Sequence, residues 1–283
     1  MNQVAVIGAG AMGSQIAMVC ALAGKRVVLV DLSEEALGRA KESLEFQIGK
    51  RVKKGKLTEQ QAANAFTLLK FTDSIEKAVK HADLVIEAII EKVEAKRKLF
   101  EKLNCFARKD AVLSTNSSTI VSSKLADVLE DPSRLCNLHF FNPALVMELV
   151  EVVKGPHTST DTVERVFQFA KEIGKTPIKM EKEIFGFVTN RILNTIFDEA
   201  IFLYENGYAS IEEIDTACRK GLNHPIGPFE LMDLTGIDVN YLIREMHYKE
   251  TGREEHQPQK SLRALYEQGH YGKKTGKGFY EYN

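Results

Sequence analysis

Six residues near the start of the chain, Gly8-Ala9-Gly10-Ala11-Met12-Gly13, constrain its fold more than any other feature. They follow the apolar run Val4 to Ile7 directly and open an alanine-rich helical stretch that reaches Ala23. In such a G-x-G-x-x-G turn the first glycine permits a tight bend. The second lets backbone approach a pyrophosphate, and the third allows close packing of helix on strand. Amides at the helix start then face the anion. Asp31 follows the second buried run, Val27 to Val30, and lies 18 residues beyond Gly13. An acid there accepts the ribose hydroxyls and repels a 2′-phosphate. The next residues, Leu32-Ser33, offer no arginine to reverse that preference. Strand, turn, helix, strand and acid in this order predict NAD rather than NADP, held by Gly8, Gly10, Met12, Gly13 and Asp31.

Short β-rich runs and helical patterns alternate through about residue 180. Further strands are expected at Leu84 to Ile90, Ala111 to Leu113, Leu135 to Phe140, Leu149 to Val153 and Pro177 to Met180. Helices are expected near 34–54, 58–67, 92–107, 119–130 and 160–173. This alternation predicts a mostly parallel sheet with helices on both faces. The last strands follow one another closely, so that end of the sheet is expected to run partly antiparallel. Beyond about 184 the pattern becomes helical. Phe187, Ile192, Leu193, Ile196, Phe197, Ala200, Ile201 and Tyr204 fall on one broad stripe, and helices follow near 210–220, 228–235, 237–250 and 260–269. The fold class is therefore α/β: an N-terminal Rossmann-like doubly wound domain over 1–184, then an all-helical C-terminal domain over 185–283.

Composition narrows the function. Thirty-eight Lys and Arg against 39 Asp and Glu give a net charge of −1, which argues against a dedicated nucleic-acid binder. The longest apolar stretch, Ile16 to Ala23, is too short to span a bilayer. No basic head and apolar stretch of signal-peptide length precede Gly8. Cys20, Cys105, Cys136 and Cys218 are widely spaced and form no C-x-x-C. They are read as reduced thiols of a cytoplasmic-type protein, with no metal site. The lysine-rich stretch Gly272 to Gly278 lacks the order of a P-loop and is read as a turn-rich tail.

Two polar sets carry the chemistry. Glu91 and Lys96 follow one strand, and Asn116-Ser117-Ser118 follow the next. Ligands of an open α/β sheet sit outside the carboxyl ends of its strands, so these residues are placed to meet ribose and nicotinamide; Asn-Ser-Ser is equally an ordinary helix cap. His139 ends a β-run, and Glu151 lies 12 residues later as the single acid of Leu149-Val150-Glu151-Val152-Val153. If the two strands are neighbours, the carboxylate has a partner and the imidazole a fixed tautomer. Oxidising an alcohol by hydride transfer needs a base near neutral pH, and histidine suits it.

Taken with Gly186-Phe187-Val188-Thr189-Asn190-Arg191, Asn223-His224-Pro225-Ile226-Gly227-Pro228-Phe229-Glu230-Leu231 and Gly276-Lys277-Gly278-Phe279-Tyr280, these motifs give a resemblance over essentially the whole chain. The sequence resembles the NAD-dependent L-3-hydroxyacyl-CoA dehydrogenases, especially the short bacterial 3-hydroxybutyryl-CoA dehydrogenases. The resemblance implies that His139 is the general base, oriented by Glu151. Ser118 and Asn190 would hydrogen-bond the reacting oxygen or the substrate near it. Glu91, Lys96 and Asn116 would line the cofactor and thioester region. It further implies an active site completed by both domains and a homodimer through the second. Two positions depart from the family pattern: Glu148 replaces a lysine, and Phe185 replaces a proline.

Lys50, Arg51, Lys53, Lys54 and Lys56 cluster at the end of a helix. Such a patch favours the negative helix terminus, and it also suits the phosphates of coenzyme A. With the resemblance, Lys50 and Lys54 are assigned to an acyl-CoA substrate. Two other readings keep the fold: an NAD-dependent dehydrogenase of a free hydroxy or sugar acid, and a non-catalytic NADH-binding structural protein. The paired His139 and Glu151 argue against the last.

Overall fold

The computed structural model describes residues 1–282; Asn283, the last residue assigned to the second domain, lies outside the described residues. The chain divides into two compact units, Met1–Phe187 and Val188–Asn283.

The first unit is built on one eight-stranded sheet. Its strands are β1 (Gln3–Ile7), β2 (Arg26–Val30), β3 (Leu69–Thr72), β4 (Leu84–Glu87), β5 (Val112–Thr115), β6 (Leu135–Phe140), β7 (Leu149–Val153) and β8 (Thr176–Met180). They lie in the order β3-β2-β1-β4-β5-β6-β7-β8. The first six are mutually parallel, β7 is antiparallel to β6, and β8 runs parallel to β7. The antiparallel end expected from sequence is therefore confined to the β6–β7 pair. Successive side chains of a strand point to opposite faces, and β1 shows it. Val4 and Val6 pack with Ile16, Ala17 and Leu44 on one side, whereas Ala5 and Ile7 pack with Leu99, Phe100 and Leu103 on the other. Both faces are covered, which is why an inner strand such as β1 reads as a near-continuous apolar run rather than alternating.

Helices α1 (Ala11–Leu22), α2 (Glu34–Lys53), α3 (Glu59–Leu68), α4 (Ile75–Val79), α5 (Val93–Phe106) and α6 (Thr160–Glu172) complete the unit. Their starts are set by local chemistry. Ser33 caps α2 by accepting from the Ala36 amide, with Glu34 and Glu35 in its first turn and Lys50, Arg51 and Lys53 in its last. Thr58 and Gln61 form a reciprocal capping box on α3.

Three local expectations are corrected. β3 is absent from the sequence reading because Leu69-Lys70-Phe71-Thr72 is a four-residue edge strand that directly continues the pattern of α3. The helix expected over 119–130 is two single 3₁₀ turns, Ser122–Lys124 and Ala126–Val128. Polar side chains take the backbone groups that a helix would use. Ser117 Oγ accepts from the Ile120 amide (2.7 Å), and Asn137 on β6 accepts from the Ser122 amide and donates to the Ile120 carbonyl. Phe187 leaves the predicted helical stripe. It precedes α7 (Thr189–Glu205) and packs with Val121, Val153 and Met180 of the first unit.

The second unit is helical: α7, α8 (Ile211–Gly221), α9 (Pro228–Thr235), α10 (Ile237–Thr251) and α11 (Lys260–Glu267). Phe197, Ile201, Ile214, Phe229, Met232, Ile237 and Leu262 form its core. Two buried aspartates tie its C-terminal tail. Asp215 accepts from the Phe229 and Glu230 amides and the Tyr280 hydroxyl. Asp233 accepts from the Phe279 and Tyr280 amides and the Tyr282 hydroxyl, each at 2.9 Å. The glycines of the lysine-rich tail serve this arrangement: a Cβ on Gly278 would stand 2.0 Å from Asp233 Oδ1. Replacing Asp233 by alanine strands two backbone donors and a hydroxyl, at ~1–3 kcal/mol for each donor left buried. Asp233→Ala is expected to lower the melting temperature by several degrees, read by thermal denaturation, with faster amide exchange at Phe279 and Tyr280.

Candidate active site

The strand order reverses between β1 and β4, and in open α/β sheets ligands bind at that switch point. The glycine turn lies there. Gly8 has a φ of 109°, and its amide donates to the Val30 carbonyl at 2.7 Å. A Cβ on Gly8 would stand 2.5 Å from the Ala88 carbonyl at the end of β4, and one on Gly13 only 1.9 Å from the Gly8 carbonyl. Gly10 differs: nothing lies within 4 Å of its missing Cβ. It caps α1 without a side chain, and no acid stands in the first turn of α1. Packed glycines beneath and an open glycine at a bare helix start fit a pyrophosphate. Asp31 Oδ2 accepts from the Ala9 amide (2.8 Å) and Oδ1 from the Ser33 amide (3.0 Å), so its carboxylate also braces the turn.

Beside it, β4 and β5 end in a buried ionic network. Glu87 is fully buried, and its carboxylate accepts from Lys96 Nζ (2.5 Å), Thr115 Oγ1 (2.6 Å) and the Ile89 amide (2.8 Å). This last bond closes the strand at Glu87 and leaves Ile90, expected within it, exposed. Lys96 is 1% exposed and lies 3.3 Å from Glu91. Glu91 in turn accepts from the Ser117 and Thr119 hydroxyls. Burial alone would raise the Glu91 pKa, but Lys96 and the two hydroxyls outweigh it and hold the carboxyl below its usual range. The network locks the β4 and β5 loops together. Asn116 Oδ1 extends the brace by accepting from the Phe140 amide at the end of β6 (2.9 Å). Ser118 is half-buried between Ser117 and Thr119, which are buried. In the second unit, Asn190 is half-buried in the first turn of α7.

His139 and Glu151 are register partners across the antiparallel β6–β7 pair. His139 Nδ1 lies 2.8 Å from Glu151 Oε2, with the carboxylate fully buried. An ionised Glu151 accepts, so Nδ1 carries the proton and Nε2 keeps its lone pair. Phe141 and Phe187 stand against the imidazole, with centroids at 4.5 and 5.6 Å. The loop joining the two strands holds a cis Asn142–Pro143 bond. It is fastened through its backbone: Lys175 Nζ donates to the Ala144 and Met147 carbonyls (2.6 and 2.7 Å). Arg51 donates to the Leu145 carbonyl (2.8 Å), and Gln15 accepts from the Leu145 amide (3.2 Å). Burial, reinforced by the nearby Arg51, pulls the Lys175 pKa down. Arg51 therefore does not belong to the exposed basic cluster, whereas Lys50, Lys53, Lys54 and Lys56 do. Lys50 Nζ sits 4.0 Å above the ring of Phe46, itself exposed.

Several contributors escaped the sequence reading: Gln15, Glu87, Thr115, Asn137 and Lys175; Arg51 and Phe187 read instead as members of the basic cluster and of the helical stripe. For Glu87 the signal was present, because an acid inside an apolar run needs a partner and Lys96 follows nine residues later. Among the described residues no group of three or more His, Cys, Asp or Glu is arranged to hold a metal ion, and no helix is long and apolar enough to cross a membrane.

A doubly wound sheet with a glycine turn at its switch point, and an imidazole–carboxylate pair toward the same carboxyl edge, defines the class of dinucleotide-dependent dehydrogenases. Residues 3–184 match the 3-hydroxyacyl-CoA dehydrogenase NAD binding domain, and residues 186–282 match the C-terminal domain of the same family. The mitochondrial hydroxyacyl-coenzyme A dehydrogenase of Homo sapiens is 41% identical over 288 residues, covering 100% of this chain and 91% of that protein. A probable 3-hydroxybutyryl-CoA dehydrogenase of Bacillus subtilis is 37% identical, with 100% of this chain and 98% of that protein covered. The crystal structure of (S)-3-hydroxybutyryl-CoA dehydrogenase from Ralstonia eutropha superimposes with a TM-score of 0.94 at 37% identity, over 100% of this chain and 99% of that one. The chain belongs to the 3-hydroxyacyl-CoA dehydrogenase family, a family of NAD-dependent oxidoreductases. Asp31→Ala is expected to weaken NADH binding by ~10-fold or more, about 1.4 kcal/mol, measured by fluorescence titration; an unchanged affinity would count against Asp31 as the ribose acceptor expected from sequence.

Proposed function

We propose that the protein oxidises (S)-3-hydroxyacyl-CoA to 3-oxoacyl-CoA reversibly, with short acyl chains such as the four-carbon one as substrate and His139 as the general base. Gly8, Gly10, Gly13 and Asp31 would hold NAD at the glycine turn, where it would supply the acceptor for the hydride from the substrate's C3. His139 Nε2 takes the hydroxyl proton in oxidation and returns it in reduction. Glu151 keeps the Nδ1 proton in place and stabilises the imidazolium that forms. Ser118 and Asn190 hydrogen-bond the reacting oxygen or its surroundings. Asn116, Glu91 and Lys96 shape the cofactor side, Lys96 from within its ion pairs. The observation that carries this reading is the buried His139–Glu151 pair at 2.8 Å, because a buried carboxylate against Nδ1 holds the imidazole in one tautomer and supports the charge it gains on taking a proton. His139→Gln is expected to keep NADH affinity and lower turnover of acetoacetyl-CoA by ~10² or more, followed by NADH absorbance. Near-normal turnover in that variant would refute the base assignment.

The exposed lysines at the end of α2 support a coenzyme A substrate rather than a free hydroxy or sugar acid. Lys50→Ala with Lys54→Ala is expected to raise KM for acetoacetyl-CoA by ~5- to 10-fold, in line with the loss of charge-assisted phosphate contacts. Equal effects on a free 3-oxo acid would favour the free-acid reading instead. The exposed apolar side chains of the second unit, among them Ile192, Phe202, Leu234 and Leu242, support a homodimer formed through that unit. The four free cysteines support a reducing setting such as the cytoplasm.

A further inference from the structure

Phe187 has a backbone that its side chain does not favour. Its φ is 49°, directly after Gly186 at 74°; among the described residues Asn223 is the other non-glycine with positive φ. Asparagine tolerates that region, whereas for a bulky aromatic residue it is an outlier. Such outliers persist only where their surroundings over-determine them. The surroundings here are specific. β8 ends at Met180, paired with Val153, two residues past the register line that joins His139, Glu151 and Ile178. The chain is then pinned at Glu183, whose Oε1 accepts from Ser122 Oγ (2.7 Å) and the Ser123 amide (2.9 Å). A turn closes with the Phe187 amide donating to the Ile184 carbonyl (3.1 Å). The phenyl ring is fully buried and stands 5.6 Å from the imidazole, with the planes 58° apart.

A phenylalanine that only filled the gap beside Val153 and Met180 would need no left-handed backbone. We propose that Phe187 is a positioning residue for the reaction: the strained turn lays its ring against His139 and, with Phe141 and the bond to Glu151, stops the imidazole from rotating, so that Nε2 stays aimed at the substrate oxygen. The proposal rests on the reading of His139 as the base. A catalytic group displaced by about an ångström loses up to ~10² in rate, so the effect falls on kcat rather than on binding.

Phe187→Leu keeps apolar bulk without a flat ring, and Phe187→Ala removes both. Both are expected to lower kcat for acetoacetyl-CoA by ~10- to 100-fold, the alanine variant more, with KM for acetoacetyl-CoA and for NADH changed less than about threefold. Nitrogen-15 spectra of the His139 ring are expected to pass from one tautomer in the native protein to exchange broadening in the variants. Wild-type kcat and an unchanged imidazole spectrum, with only a lower melting temperature, would overturn the proposal. If the alanine variant does not fold, the leucine variant decides on the same readouts. His139→Gln measured in parallel separates the two claims. An inactive His139→Gln beside fully active Phe187 variants defeats the positioning role and leaves the base intact; an active His139→Gln defeats both.

Discussion

A carboxylate removed from water needs a cation or donors of its own, and the site depends on how Glu151 meets that need. It sits in the middle of a strand whose other residues are valine and leucine. Its register partner on β6 is His139. The same requirement that keeps β7 from slipping, since a one-residue shift would reverse every side chain, sets the orientation of the imidazole. Pairing of strands and alignment of the imidazole are one event. That is also why β7 runs against β6: a tight antiparallel return brings the twelfth residue after His139 back to its side, which a parallel crossover through a helix would not do so directly.

The remaining scaffold acts through backbone atoms more than through side chains aimed at ligands. Glu87, Lys96 and Glu91 join the β4 and β5 loops. Asn116 joins β5 to β6, and Asn137 gathers the turns after Ser117. Lys175 and Arg51 fasten the carbonyls of the loop between His139 and Glu151. Each of these side chains closes a connection between segments, and buried hydrogen bonds of this kind rigidify their surroundings.

The parts of this molecule legible in its sequence are those with local causes. The glycine turn follows from Gly8 to Gly13 and the strand before it. The helices follow from caps such as Ser33 and Thr58, and the histidine–acid pair follows from one acid in an apolar strand. What escaped notice has distant causes. No local signal tells that Asn137 reaches back to break the 119–130 segment into turns, or that Arg51 leaves its lysine-rich neighbours for a carbonyl 94 residues away. Ser114 and Thr115 hid the end of β5, because their hydroxyls look like loop residues until Val85 and Glu87 supply partners. Phe187 reads as helix-stripe material since periodicity carries no record of φ. The position of Lys96 was legible, and Glu87 within an apolar run pointed to one partner for it, but the near-complete burial of Lys96 was not legible.

The steric lock between Gly13 and the Gly8 carbonyl has a consequence for anyone wishing to redesign coenzyme choice. The bend itself offers no room for tuning, because any side chain at either glycine collides with main chain rather than with something that can rotate away. Adaptation to a phosphorylated dinucleotide would have to come from Asp31, Leu32 and Ser33, of which Leu32 projects into solvent. Even there Asp31 tethers the Ala9 amide, so exchanging it for a cationic side chain would require a second donor-acceptor arrangement to keep the bend in shape.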